Sequence, residues 1–102
     1  MADIFSVAGK VVCITGSSRG LGKAIARGFA ECGAKVVISS WNSDELEATK
    51  NEFQSQGLEV YAVEVDVSDC NNCQQLIDRT VEQYGAIDVL ICNAGIDLIK
   101  LA

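Results

Sequence analysis

Apolar residues along this chain alternate between continuous runs and helical spacing. Val11-Val12-Cys13-Ile14-Thr15 is unbroken until Gly16, the pattern of a strand buried on both faces. From Leu21, the residues Leu21, Ile25 and Phe29, with Ala24 beside them, recur at helical spacing until Gly33 offers a stop. Val36-Val37-Ile38 predicts a second buried strand. Asn42 or Ser43 can then cap a helix carrying Leu46, Thr49 or Lys50, and Phe53, with Gly57 at its end. A third strand is expected over Val60–Val65, a third helix capped by Ser68 or Asp69 runs through Leu76, Ile77 and Tyr84 to Gly85, and a fourth strand spans Asp88–Cys92. Strands alternating with helices of about a dozen residues specify crossover units, hence an α/β fold with a parallel sheet covered by helices.

The junction of the first strand and first helix reads Thr15-Gly16-Ser17-Ser18-Arg19-Gly20-Leu21-Gly22, a TGxxxGxG pattern. Glycines at a strand-to-helix turn permit a tight reversal and let backbone N–H groups approach a pyrophosphate at the positive end of a helix. Dinucleotide binding is the leading expectation, and glycines that merely shape a turn are the plain alternative.

With that loop, Asp66-Val67 after the third strand and Cys92-Asn93-Ala94-Gly95 after the fourth, the sequence resembles the short-chain dehydrogenase/reductase family. Cys92 replaces the first asparagine of the family's NNAG. The three motifs come in family order and spacing across essentially the whole chain. The resemblance implies a Rossmann-type three-layer fold and an NAD(P)-dependent oxidoreductase acting on alcohol or carbonyl groups. It places Gly16, Ser18, Arg19, Gly20, Leu21 and Gly22 around the cofactor phosphates and adjoining ribose. Asp66 and Val67 would hold the adenine, while Asn93, Ala94 and Gly95 would lie along the adenosine side, with Asn93 also fixing the centre of the sheet. Without the resemblance, Asp66 and Asn93 read as turn residues.

The cofactor expectation turns on the end of the second strand. An acidic residue there would bind both ribose hydroxyls and repel a 2′-phosphate, but Ser39 and Ser40 occupy the place. Arg19 with no opposing carboxylate favours NADP over NAD, because guanidinium recognises phosphate well; a solvated arginine at a helix start is the alternative. Trp41 stands where a family arginine often sits, and is expected to be a partly buried loop aromatic rather than an adenine-stacking one.

Length, charge and missing residue types narrow the function. The 102 residues, 49% hydrophobic and 22% charged, suit one domain over residues 1–102 with its own core. A net charge of −6 with scattered basic residues makes nucleic acid an unlikely partner. No apolar run nears the ~20 residues of a membrane span, and Met1 to Gly9 does not resemble a secretory signal, so a cytoplasmic protein is expected. Five cysteines, an odd number, fit buried thiols better than a disulfide framework. Cys70 and Cys73 form a CxxC spacing, but two ligands cannot close a tetrahedral zinc site, so incidental cysteines at a helix start are expected.

There is no histidine to serve as general base. The family's catalytic serine and its YxxxK pair find no match, since Val65 follows Tyr61 by four residues and Asp88 follows Tyr84. No residue is assigned a catalytic role. The chain is therefore expected to be a cofactor-binding half that ends before the catalytic segment and is inactive alone, its parent a homo-oligomer. Right-handed crossovers imply strand order 3-2-1-4, with two helices on one face and one on the other. One face would then be half bare, and the fourth strand would be an apolar edge. The competing expectation is a nucleotide-binding or protein-interaction module without chemistry of its own.

Overall fold

A computed structural model describes residues 7–16, 20–66 and 70–92. The elements are β1 (Val11–Ile14), α1 (Gly20–Glu31), β2 (Lys35–Ser40), α2 (Ser43–Ser55), β3 (Val60–Glu64), α3 (Cys70–Tyr84) and β4 (Val89–Ile91). Among the described residues they form one four-stranded parallel sheet in the order β3-β2-β1-β4, as the crossover argument requires. Every residue of β1 and all but the first of β2 are buried, which is why these central strands read as unbroken apolar runs.

The two faces carry separate cores. Val12, Ile14, Val36, Ile38 and Val60 turn to the face covered by α1 and α2, where they pack with Ala26, Ala30, Leu46 and Phe53. Cys13, Val37, Val63 and Val65 turn the other way, onto Leu76 of α3. This alternation is the two-residue period of a strand, and it divides two helices from one as expected.

The orientation of α1 differs from the sequence expectation. Its buried residues are Gly22, Ala26 and Ala30; Ile25 and Phe29 pack at the flank, and Leu21 is 62% exposed. Small side chains let the helix axis approach the sheet, so they take the central stripe and the larger residues close its side. Ala24 is likewise exposed. On α2 the expected stripe of Leu46, Thr49 and Phe53 is buried. Arg27 lies 5.1 Å from the Phe53 ring centroid and pairs with Glu52, which Lys23 also meets at 2.8 Å, joining α1 to α2.

Helix ends follow local chemistry. Asn42 caps α2, its side-chain oxygen accepting from the backbone N–H groups of Asp44 and Glu45 at 3.1 Å. Gly33, Gly57 and Gly85 after the three helices have φ of 91°, 78° and 84°, a region that favours glycine. The expected caps Ser68 and Asp69 lie outside the described residues.

At the sheet edge, Leu90 of β4 pairs with Cys13 and so faces the α3 side, where it is 45% exposed. The cysteine expectation is corrected in part. Cys13 is buried, but Cys73 is only half-buried and Cys32 and Cys92 are exposed. Cys32 lies just past the end of α1 and Cys92 just past the end of the edge strand β4, positions that the sheet and helices do not cover. Burial pushes the Cys13 thiol above its ordinary pKa, partly offset by the hydrogen bond from Thr80.

Candidate functional site

Parallel pairing brings the C-terminal ends of β1, β2 and β3 to one end of the sheet, where those of the expected binding residues that are described lie. Gly16 follows β1 with φ 61°, and Gly20 opens α1 with φ 62°. Both lie in the left-handed region, which a side chain would strain. A Cβ added to Gly20 meets nothing within 4 Å. The backbone at the start of α1 is thus open, at the helix end where N–H groups and the dipole favour an anion. Gly22, two residues further on, is buried. Ser18 and Arg19 lie outside the described residues, as do Val67, Asn93, Ala94 and Gly95.

The end of β2 is committed to structure. Ser39 is buried, and its hydroxyl donates to the Ile14 carbonyl at 3.0 Å, tying β2 to β1. Ser40 is also buried, and its hydroxyl oxygen accepts from the Asn42 backbone N–H at 3.1 Å. Ser40 therefore helps hold the turn into α2. Between Ser40 and Asn42 sits Trp41, which is 68% exposed, not partly buried as expected. The tight turn from β2 to the Asn42 cap projects the indole away from both cores.

Trp41 lines a groove of about 240 Å³ with Glu64, Val65, Asp66, Asn72 and Gln75. The Asn72 side-chain amide donates to the Asp66 carbonyl at 2.8 Å, fixing the exit of β3 against the first turn of α3. The Val65 N–H donates to the Ser40 carbonyl at 2.9 Å, extending the β2–β3 ladder to the groove. Of the expected set, the structure gathers Gly16, Gly20, Leu21, Gly22, Ser40 and Asp66 at this end of the sheet. Glu64, Asn72 and Gln75 join the groove without having been expected there. Glu64 was signalled by its place as the lone polar residue in Val63-Glu64-Val65, whereas Asn72 and Gln75 are placed only by tertiary packing.

The tyrosines sit elsewhere. Tyr84 ends α3 and Tyr61 lies early in β3, their rings edge to face at 6.3 Å. Burial, together with the charge and hydrogen bonding of Glu59, pushes the Tyr84 phenol up to about 12. Lys35 at the start of β2 lies 5.7 Å from the Tyr84 ring centroid, so this pair occupies the N-terminal edge of the sheet, across the molecule from the groove. Among the described residues no group of three or more histidines, cysteines or carboxylates has the arrangement of a metal site, and no helix is long and apolar enough to cross a membrane.

Comparison with known proteins agrees with the fold. An uncharacterized oxidoreductase of Thermotoga maritima is 40% identical over 92 residues, which is 90% of this chain and 36% of the relative. A hydroxysteroid dehydrogenase from Escherichia coli superposes with a TM-score of 0.85 at 33% identity, over 90% of this chain and 39% of that one. A short-chain dehydrogenase/reductase from Burkholderia phymatum in complex with NAD gives 0.81 at 35% identity, over 84% of this chain and 31% of the other. The chain spans little more than a third of the length of the curated relatives it matches. With the short chain dehydrogenase family model matching residues 10–101, the chain belongs to the short-chain dehydrogenase family.

Proposed function

We propose that residues 1–102 form one dinucleotide-binding unit of an NAD(P)-dependent oxidoreductase that acts on an alcohol or carbonyl substrate. The observation that carries it is the pair of left-handed glycines Gly16 and Gly20, the latter leaving open backbone at the N-terminus of α1, at the same end of the sheet as the Trp41 groove. The pyrophosphate would lie against Gly16, Ser18, Arg19, Gly20, Leu21 and Gly22, where backbone donors and the helix dipole stabilise it. Ser40 would border the ribose, Asp66 and Val67 the adenine, and Asn93, Ala94 and Gly95 the adenosine side. Either NAD or NADP suits this set, with Arg19 the residue favouring a 2′-phosphate.

When bound, the nicotinamide supplies hydride exchange with a substrate carbon. This chain's residues bind and orient the nucleotide, and the proton donor is proposed to lie outside the 102 residues. The relatives are named as oxidoreductases and dehydrogenases, which weighs against a module without chemistry. A cytoplasmic location and a homo-oligomeric parent are part of the same proposal.

Calorimetric titration of NAD⁺ into the chain and into its Gly20→Val variant tests the site. Binding to the first and at least a tenfold loss in the second is expected, since a side chain there enters the space at the helix end. Equal binding by both would refute the assignment of the turn.

A further inference from the structure

We infer that the groove beside Trp41 selects a dinucleotide whose adenosine ribose carries no 2′-phosphate, with the indole as the platform for the adenine ring and the Glu64 carboxylate as the discriminating group. This rests on the dinucleotide reading of the site and goes beyond it by naming which of the two cofactors is held and by what.

The register supports the role of Glu64. Ser40, the last residue of β2, is the pairing partner of Glu64 in β3, so the two Cα atoms face each other on adjacent strands, about 5 Å apart. Paired residues turn to the same face of the sheet. A carboxylate absent from the end of β2 is thus supplied one strand over, at the matching level. Glu64 is exposed, and it lines the groove together with Asp66, while among the described residues no lysine or arginine lines it. A 2′-phosphate entering this groove would meet two like charges. Sequence order alone hides this, because 24 positions separate residues that the sheet makes neighbours.

The role of Trp41 follows from its exposure. A large aromatic that is 68% exposed forfeits most of the benefit of burial, yet it forms one wall of a groove whose other walls include the apolar Val65 and the amides of Asn72 and Gln75. That combination suits a planar, polar-edged ring. Base-on-aromatic stacking typically contributes enough to change affinity by about tenfold. Arg19, which favours a 2′-phosphate, opposes the selection, so the inference requires that the two groove carboxylates outweigh one arginine.

The test uses the intrinsic emission of Trp41, the only tryptophan in the chain, together with calorimetry. Titration with NAD⁺ or 5′-AMP should quench that emission, and nicotinamide mononucleotide should not. NADP⁺ and adenosine 2′,5′-bisphosphate should bind on the order of tenfold more weakly than NAD⁺ and 5′-AMP at low salt. Glu64→Gln should narrow that gap several-fold, and Trp41→Ala should weaken NAD⁺ and NADP⁺ alike. Calorimetric binding of NAD⁺ without a change in emission, or NADP⁺ binding as tightly as NAD⁺, would overturn the inference while leaving the dinucleotide site intact. Absence of all nucleotide binding would overturn both.

Discussion

Replacing Asn42 with alanine removes the side-chain oxygen that accepts from the Asp44 and Glu45 N–H groups, each at 3.1 Å, and the amide that donates to the Glu45 carboxylate at 3.2 Å. The Asp44 N–H is exposed and would turn to water. The Glu45 N–H is part-buried and would be less well compensated. Losses of this kind at a helix N-cap run near 1 kcal/mol, which for a domain of this size lowers Tm by about 4–8 °C. Thermal unfolding followed by circular dichroism at 222 nm reads the shift directly. Asn42→Asp keeps the accepting oxygen and places a carboxylate at the positive end of α2, so it should recover most of the loss despite its acidic neighbours Asp44 and Glu45. If Asn42→Ala melts with the wild type, or Asn42→Asp falls as far as Asn42→Ala, the cap does not hold the start of α2.

The close approach of α1 to the sheet predicts that Ala26→Leu costs about 1–3 kcal/mol through overpacking, while Leu21→Ala changes stability by no more than about 0.5 kcal/mol; chemical denaturation of both variants compares them. Ser39→Ala should cost about 1 kcal/mol by removing the donor to the Ile14 carbonyl, measured the same way. For Tyr84, the folded pKa of about 12 lies above the ordinary value near 10. A group whose pKa rises on folding contributes stability that is complete below its unfolded pKa and is lost as pH climbs from about 10 to about 12. Thermal scans over that range should therefore fall more steeply for the wild type than for Tyr84→Phe, and parallel curves would refute the assignment.

The strands were legible because a parallel sheet covered on both faces leaves no polar alternation to confuse the pattern. Val11–Ile14 and Val36–Ile38 could hardly read otherwise. Asn42 was legible for a local reason, since its cap is made with the two residues that follow it. The face of α1 was misjudged because counting apolar side chains selects Leu21, Ile25 and Phe29, whereas the distance between helix and sheet selects Gly22, Ala26 and Ala30. Trp41 misled for the opposite reason, as its size suggested burial and only the geometry of the turn after Ser40 exposes it. Within the site, Gly16, Gly20 and Asp66 could be located from motifs attached to strand ends. Glu64 was marked only as a polar residue within an apolar strand, and its place beside Ser40 was hidden, because the two become adjacent only through the β2–β3 register.

Asp88 closes on Val11 twice. Its carboxylate accepts from the Val11 N–H at 2.8 Å and its own N–H donates to the Val11 carbonyl at 2.9 Å, across 77 positions of sequence. β1 can pair with β2 as soon as residue 38 has been made, but its other edge waits for residues 88 to 91. At typical synthesis rates of about 5–20 residues per second, that edge stays open for roughly 4–15 s on the ribosome. During that time a strand made wholly of apolar residues offers unpaired backbone groups to any neighbouring chain. The order in which the chain emerges therefore makes the middle of these four strands their most vulnerable part during synthesis, and a chaperone that shields β1 would matter most before β4 arrives.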